Sequence, residues 1–280
     1  MRNIIVHQPK GESLINQLAI LYQVFSQIKQ KEKVNFDLSN LNWVCPLLIL
    51  PIAAYIHETA SKYKLPLNLD ISSYLKTIHF PEGVSSVSAF RRISNYIPIS
   101  LLKRKDPIGR ERLVALFSEM VYESLKAVAG TENAVYYPIT ELVTNIFEHS
   151  KKDEGWIFAQ FYPKKNFLDL CILDCGRGLA RAYLQEQSLK VSDPEAIKRA
   201  VMGYSVKPEI ERGYGLSTSK RVICEGFGGS FTIISGGAGL ISQGKQERLI
   251  KFPSFDWQGV IVAYRVPQPK RAIDITPYLE

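Results

Sequence analysis

The chain has 280 residues, 46% of them apolar, and a formal charge of +8, so it can bury a sizeable core, and two domains are expected over one. No run approaches the ~18 apolar residues of a membrane span, and the longest, Val44–Ala54, contains Cys45, Pro46 and Pro51 and reads as a buried segment. The start, MRNIIVHQPKGES, has neither the apolar core of a signal peptide nor an acid-poor transit pattern, so a cytoplasmic protein is expected.

In chain order, Asn3–His7 reads as a short strand and Pro9–Gly11 as a turn. From Ser13 to Lys31 the residues Leu14, Leu18, Leu21, Tyr22, Phe25 and Ile28 recur at helical spacing. Val34–Leu38 reads as a buried strand, Pro46 suits the first turn of a helix over Leu47–Lys62, and the alternation in Lys64–Ile71 predicts another strand. This strand–helix order predicts an α/β domain over residues 1–80. Residues 81–104 read as a linker holding most of a basic cluster, Arg91, Arg92, Lys103, Arg104 and Lys105. Residues 1–104 hold 12 Lys+Arg against 6 Asp+Glu, leaving 23 and 21 for the rest. That excess suits nucleic acid or an acidic protein. With no aromatic interleaving or helix-turn-helix pattern beside it, the cluster reads instead as solvated linker, and nucleic acid is not the expected partner.

Beyond the linker, Gly109–Ala127 reads as a helix, followed by a second over residues 139–150. Trp156–Tyr162 and Phe167–Leu173 form a hairpin candidate around Pro163–Asn166. Residues 179–212 are a polar, partly helical excursion, and the helix Leu216–Glu225 and the strands Ser230–Ser235 and Gly259–Val266 follow. The prediction is an α+β domain over residues 105–266, with helices on one face of a mixed, largely antiparallel sheet, and a tail over 267–280. Cys45, Cys171, Cys175 and Cys224 show neither a disulfide framework nor a second pair to complete a zinc site, and read as reduced thiols.

Three stretches carry chemistry. In ITELVTNIFEHS, read as a helix, Glu141, Asn145 and His149 fall at four-residue steps with Glu148 beside them, while Ile139, Leu142, Val143 and Ile146 form the apolar face. Alone, this is an ordinary amphipathic helix. LDLCILDCGRG is a strand-like run ending in Asp174, Gly176 and Gly178. In ERGYGLSTSK, Gly213, Tyr214, Gly215 and Leu216 open a helix whose start suits phosphate.

Taken in order, Glu-x-x-x-Asn, Asp-x-Gly-x-Gly and Gly-x-Gly-Leu resemble the GHKL ATP-binding family of gyrase, the MutL repair proteins, heat-shock chaperone ATPases and histidine kinases. The resemblance implies a two-layer α/β sandwich of the histidine kinase-like ATPase (Bergerat) type that binds ATP and Mg²⁺. It assigns magnesium to Asn145, general-base work to Glu141 and the adenine amino group to Asp174, with Gly176, Gly178, Gly213, Tyr214, Gly215 and Leu216 around the nucleotide. His149 either approaches the phosphates or packs. Ser205, Lys207 and Arg212 fall in the segment that is the family's ATP lid, and either reach phosphate on closure or stay solvated. Many members carry Gly-Thr where this chain has Gly259–Val260, so the second adenine contact is expected from water or from elsewhere.

FDLSNLNWVCPLLILPIAAYI, within residues 34–72, resembles the centre of a STAS domain, the α/β module of anti-sigma-factor antagonists and anion transporters. The antagonists' phosphorylated serine has no counterpart, since Val44, Cys45, Pro46 and Leu47 carry no hydroxyl. His57 begins a His-Glu pair, as in a histidine-kinase acceptor, but lacks the surrounding pattern and reads as a surface or core histidine. The expected function is a cytoplasmic Mg-ATP-binding regulator with slow ATPase activity, its lid controlling a partner protein or the STAS-like domain. The alternatives are a serine or histidine kinase of the anti-sigma or two-component type acting on a partner, and a non-catalytic interaction module. A homodimer is compatible with each. A MutL-like DNA clamp is disfavoured, because too little chain follows Val266 for a transducer domain.

Overall fold

A computed structural model describes residues 1–29, 31–90, 96–206 and 214–279. The first part alternates strands and helices: β1 (Arg2–Ile5), α1 (Leu14–Phe25), β2 (Val34–Asp37), α2 (Pro46–Thr59), β3 (Lys62–Lys64) and α3 (Leu69–Thr77). The three strands pair in parallel in chain order. The sheet runs β1-β2-β3 in chain order, so crossovers of the usual hand put α1 and α2 on one face, where they pack against each other. The Ser13 hydroxyl caps α1 by accepting the Asn16 N–H. α2 is buried without a break from Pro46 to Ala54. A helix apolar all round belongs between two layers, and α2 lies between the small sheet and a larger one.

The larger sheet has seven strands: β4 (Ser100–Lys103), β5 (Glu154–Tyr162), β6 (Phe167–Asp174), β7 (Ser230–Gly236), β8 (Ala238–Gln243), β9 (Gln246–Lys251) and β10 (Trp257–Pro267). Their spatial order is β4-β5-β6-β10-β7-β8-β9, and every neighbouring pair is antiparallel. Among the described residues the helices that accompany it are α4 (Pro107–Ser124), α5 (Glu132–His149), α6 (Gly178–Gln187), α7 (Asp193–Val201) and α8 (Gly215–Arg221), the last continuing through a π-helical turn at Val222–Gly226. The architecture is mixed, helices with a large antiparallel sheet, as an α+β reading requires.

Both faces of this sheet are covered, which explains why β5 and β6 read as nearly continuous apolar runs. Successive side chains alternate between the faces. Ile157, Leu170, Ile172, Val262 and Tyr264 join the core under α4 and α5. Their neighbours Trp156, Phe158, Cys171, Leu173, Ile261 and Ala263 join the core under α1 and α2. The two cores are separated by one sheet, so the first part of the chain is the back layer of the second.

A buried ion pair fastens this layer. Arg265 on β10 donates to both oxygens of its cross-strand partner Asp169 on β6, at 2.6 and 2.7 Å. Gln17 of α1 donates to Asp169 at 2.9 Å, and Arg265 also donates to the Glu12 carbonyl at 2.6 Å. Asp169 is 1% exposed, and burial pushes its carboxyl pKa up despite the guanidinium beside it. At the rim, Lys152 donates to Glu58 and His57 pairs with Glu154 at 3.0 Å, joining the end of α2 to the start of β5. His57 is exposed, in agreement with its surface reading.

Three expectations are corrected and one gap is filled. The strand expected over 64–71 covers only Lys62–Lys64, because the Asn68 side chain accepts the Asp70 and Ile71 N–H groups and starts α3. The helix expected to reach Lys62 stops at Thr59, where Ala60 turns left-handed. Residues 100–103, expected in a linker, pair with β5 as β4. Residues 238–251, given no structure above, are β8 and β9. All four cysteines are free thiols. Among the described residues no helix is long and apolar enough to cross a membrane. Arg91 and Arg92 lie outside the described residues.

Candidate functional site

α5 is amphipathic as predicted. Ile139, Leu142, Val143 and Ile146 are buried against the sheet, and Glu141, Asn145 and His149 line a cavity of about 310 Å³. The cavity also takes in Asp174 at the end of β6, Gly178 at the start of α6, Ser205 after α7, and Gly215 and Leu216 at the start of α8. Stretches far apart in sequence are thus brought to one place, over a floor that includes Ile172, Ile233, Val260 and Val262.

Asp174 is the most constrained of these residues. It is 3% exposed, and its Oδ1 accepts the Gly176 N–H at 2.7 Å. Val260, its antiparallel partner on β10, donates a second backbone N–H. Burial nevertheless dominates and pushes its pKa up to about 7, with the Gly176 and Val260 hydrogen bonds and the Lys152 charge opposing. The Trp257 indole N–H holds the Asp174 backbone carbonyl at 3.0 Å. The Gly259–Val260 pair therefore lies beside Asp174. The nearby hydroxyl is that of Ser235, which accepts the Leu179 N–H and donates to the Gly259 carbonyl, both at 2.9 Å.

Close approach dictates the glycine at 176 and brings Gly215 against a side chain. A Cβ on Gly176 would come closer than 3.0 Å to the Ser150 carbonyl oxygen, where α5 ends. A Cβ on Gly215 would meet the Glu141 carboxylate, so the start of α8 abuts the acidic residue of α5. Gly176→Ala is expected to lower stability by about 2 kcal/mol or more in urea unfolding, because a backbone carbonyl cannot withdraw as a side chain can. Unchanged stability would show that the turn does not lie against α5.

Arg177 stands at an open position of Asp-x-Gly-x-Gly, and the structure gives it a definite place. Its Nε donates to the His149 carbonyl at 2.7 Å and its backbone N–H to the Ser150 carbonyl at 3.1 Å. Its remaining nitrogens reach Gln185 at 2.8 Å and Glu186 at 2.7 Å. A cation on the last carbonyls of α5 satisfies them and opposes the negative end of the helix dipole. Gln187 donates to the Ser205 and Val206 carbonyls, and the Tyr183 hydroxyl to the Tyr204 carbonyl at 2.6 Å, so α6 holds residues 204–206 over the cavity.

Gly176 and Tyr214 do not line the cavity: Gly176 shapes the turn, and Tyr214 is exposed with its ring against Gly203. Lys207, Arg212 and Gly213 lie outside the described residues. Among the described residues no three His, Cys, Asp or Glu side chains gather as a metal-binding group. Ser235, Trp257 and Arg177 were missed by sequence reasoning. Their contacts cross the sheet or close a helix end, and no local spacing announces them.

No family model matches the chain, and no curated protein matches it.

Proposed function

We propose that this protein is a nucleotide-binding regulator of the GHKL type, taking Mg-ATP into the cavity between α5 and the glycine turns. One observation carries the reading: Glu141, Asn145, Asp174, Gly178 and Gly215, from three separate sequence motifs, converge on a single cavity. That convergence is what a shared ligand requires and what three unrelated turns have no reason to produce. A nearly buried carboxylate beside an apolar floor suits adenine, accepting a hydrogen bond from the exocyclic amine and rejecting the carbonyl of guanine.

The donors fit magnesium bound largely through phosphates and water, with the Asn145 amide oxygen as the protein ligand. The ion supplies charge neutralisation for the triphosphate. Glu141 orients a water and takes its proton as the water oxygen bonds to the γ-phosphorus, while the bond to the β-phosphate oxygen breaks to leave ADP and phosphate. Ser205 and His149, which line the cavity after α7 and on α5, contact the nucleotide on this reading. On this reading the parallel β1–β3 sheet with α1 and α2 is the STAS-like unit, packed behind the ATP-binding sheet, and the nucleotide's state reaches a cytoplasmic partner protein through that shared sheet.

Calorimetry with ATP, with and without magnesium, tests the reading on the parent protein, Asn145→Ala and Glu141→Gln. The parent is expected to bind in the micromolar range, and Asn145→Ala to lose the magnesium dependence. Glu141→Gln is expected to keep binding while phosphate release falls on the order of a hundredfold or more. No binding at millimolar ATP by folded protein would overturn the proposal. Label passing from γ-phosphate to a second protein, with little free phosphate, would make the chain a kinase at the same site.

A further inference from the structure

A second cavity, of about 700 Å³, lies on the other side of the strand end that carries Asp174. Asp174 lines the first cavity, while Cys175, the next residue, lines the second. One wall comes from the first part of the chain, with Phe25 of α1 and Tyr55 of α2. An adjoining wall comes from the approach to β10 and its first residue, with Phe255 and Trp257. Their rings meet edge to face, with Phe25 at 5.5 Å from Tyr55, 6.4 Å from Phe255 and 5.5 Å from Trp257. The interior is therefore aromatic, and its size and place between two packed units are those of small-molecule sites.

The rim is different in kind. Lys29, Lys31 and Lys33, on the connection from α1 to β2, all line the mouth and are exposed. Two acids share the lining, Glu58 and Asp256. Glu58 is neutralised by Lys152 at 2.8 Å. Asp256 has its carboxyl pKa raised by burial and by the neighbouring Asp193, while Arg181 opposes. The lysines are thus the dominant charge at the entrance.

We propose that this cavity binds a small amphipathic anion, an aromatic body bearing a single carboxylate, sulfonate or phosphate. The rings of Phe25, Tyr55, Phe255 and Trp257 take the body, and the lysine rim takes the anionic group. The site is independent of the nucleotide. Its regulatory meaning rests on the ATP reading: Trp257 touches the bound anion with its ring and holds the Asp174 carbonyl with its N–H, so occupancy bears on the proposed adenine contact.

The test uses the full chain and 8-anilinonaphthalene-1-sulfonate, an aromatic sulfonate whose fluorescence reports binding. The parent should show one saturable site. Lys29→Glu/Lys31→Glu/Lys33→Glu should bind the dye about tenfold more weakly, the sum of three rim attractions. A control with three exposed lysines elsewhere, Lys164→Glu/Lys245→Glu/Lys270→Glu, should match the parent, and equal melting temperatures confirm that both variants fold. Saturating ATP should leave the dye bound. Equal affinity in the rim variant, or complete displacement by ATP, would overturn the proposal, the latter because the dye would then occupy the first cavity. The dye titration needs no nucleotide, so failure of ATP binding leaves its result intact and bears only on the regulatory link.

Discussion

Asp174→Asn is expected to weaken ATP binding about a hundredfold and to melt at a higher temperature than the parent above pH 6. The first effect follows from the acceptor. An asparagine that turns its oxygen to the adenine amine must turn its amide toward the Gly176 N–H, leaving a buried donor facing a donor. The second follows from linkage. The Asp174 pKa is about 7 in the folded protein against a reference value of 3.8. The folded state therefore holds this proton more tightly than the unfolded chain, and stability falls as pH rises from about 4 to about 7. The loss is on the order of a few kcal/mol, complete above the folded pKa. Asparagine does not ionise and escapes it. Melting curves of the two proteins should converge near pH 4 and separate through pH 7. Parallel curves across that range would remove burial as the cause. With ATP bound, the adenine amine favours the ionised carboxylate, so binding near neutral pH should release protons and show a buffer-dependent enthalpy.

Arg265→Met is expected to destabilise the protein by about 3–5 kcal/mol, since it leaves the 1%-exposed Asp169 without its cation. The Glu12 carbonyl loses its Arg265 donor in the same step and keeps only that of Gln17. Asp169→Asn in the Arg265→Met background should restore much of the loss, because a neutral amide in that place no longer needs a counter-charge. Urea unfolding of the two single variants and the double closes the cycle. A cost below about 1 kcal/mol for Arg265→Met would mean that water already reaches the pair.

Much of the candidate site was legible because its residues are local to their elements. Helical spacing alone puts Glu141, Asn145 and His149 on one face, and a strand followed by Asp-x-Gly-x-Gly puts Asp174 at a turn. The elements themselves were readable where one period ruled, as in α5 and in the hairpin of β5 and β6. Illegible was what depends on a second layer. Alternation in KLPLNLDI is real, yet Asn68 as a helix cap overrides it. β8 and β9 read weakly because Gly236, Gly237, Gly239 and Gly244 break the pattern of 236–251 and because β9 lies at a sheet edge with little burial. Asp169 falls inside an apolar strand, where only the Arg265 opposite and the Gln17 above explain a charge. Arg177 looked interchangeable because its partners, the carbonyls ending α5, are main-chain atoms of another element.

The strand order β4-β5-β6-β10-β7-β8-β9 has a bearing on how the chain is made. β10, the last described strand in sequence, is the central one, between β6 and β7. A ribosome delivers α2 by Thr59 but β10 only by Pro267, an interval on the order of 10–40 s at about 5–20 residues per second. Once made, β6 and then β7 each present an unpaired edge, and throughout the interval the apolar faces of α1 and α2 await residues such as Trp257, Ile261 and Ala263 that have not been synthesised. The nascent chain therefore keeps apolar surface and strand edges open until β10 slides into the middle of the sheet and closes both cores at once.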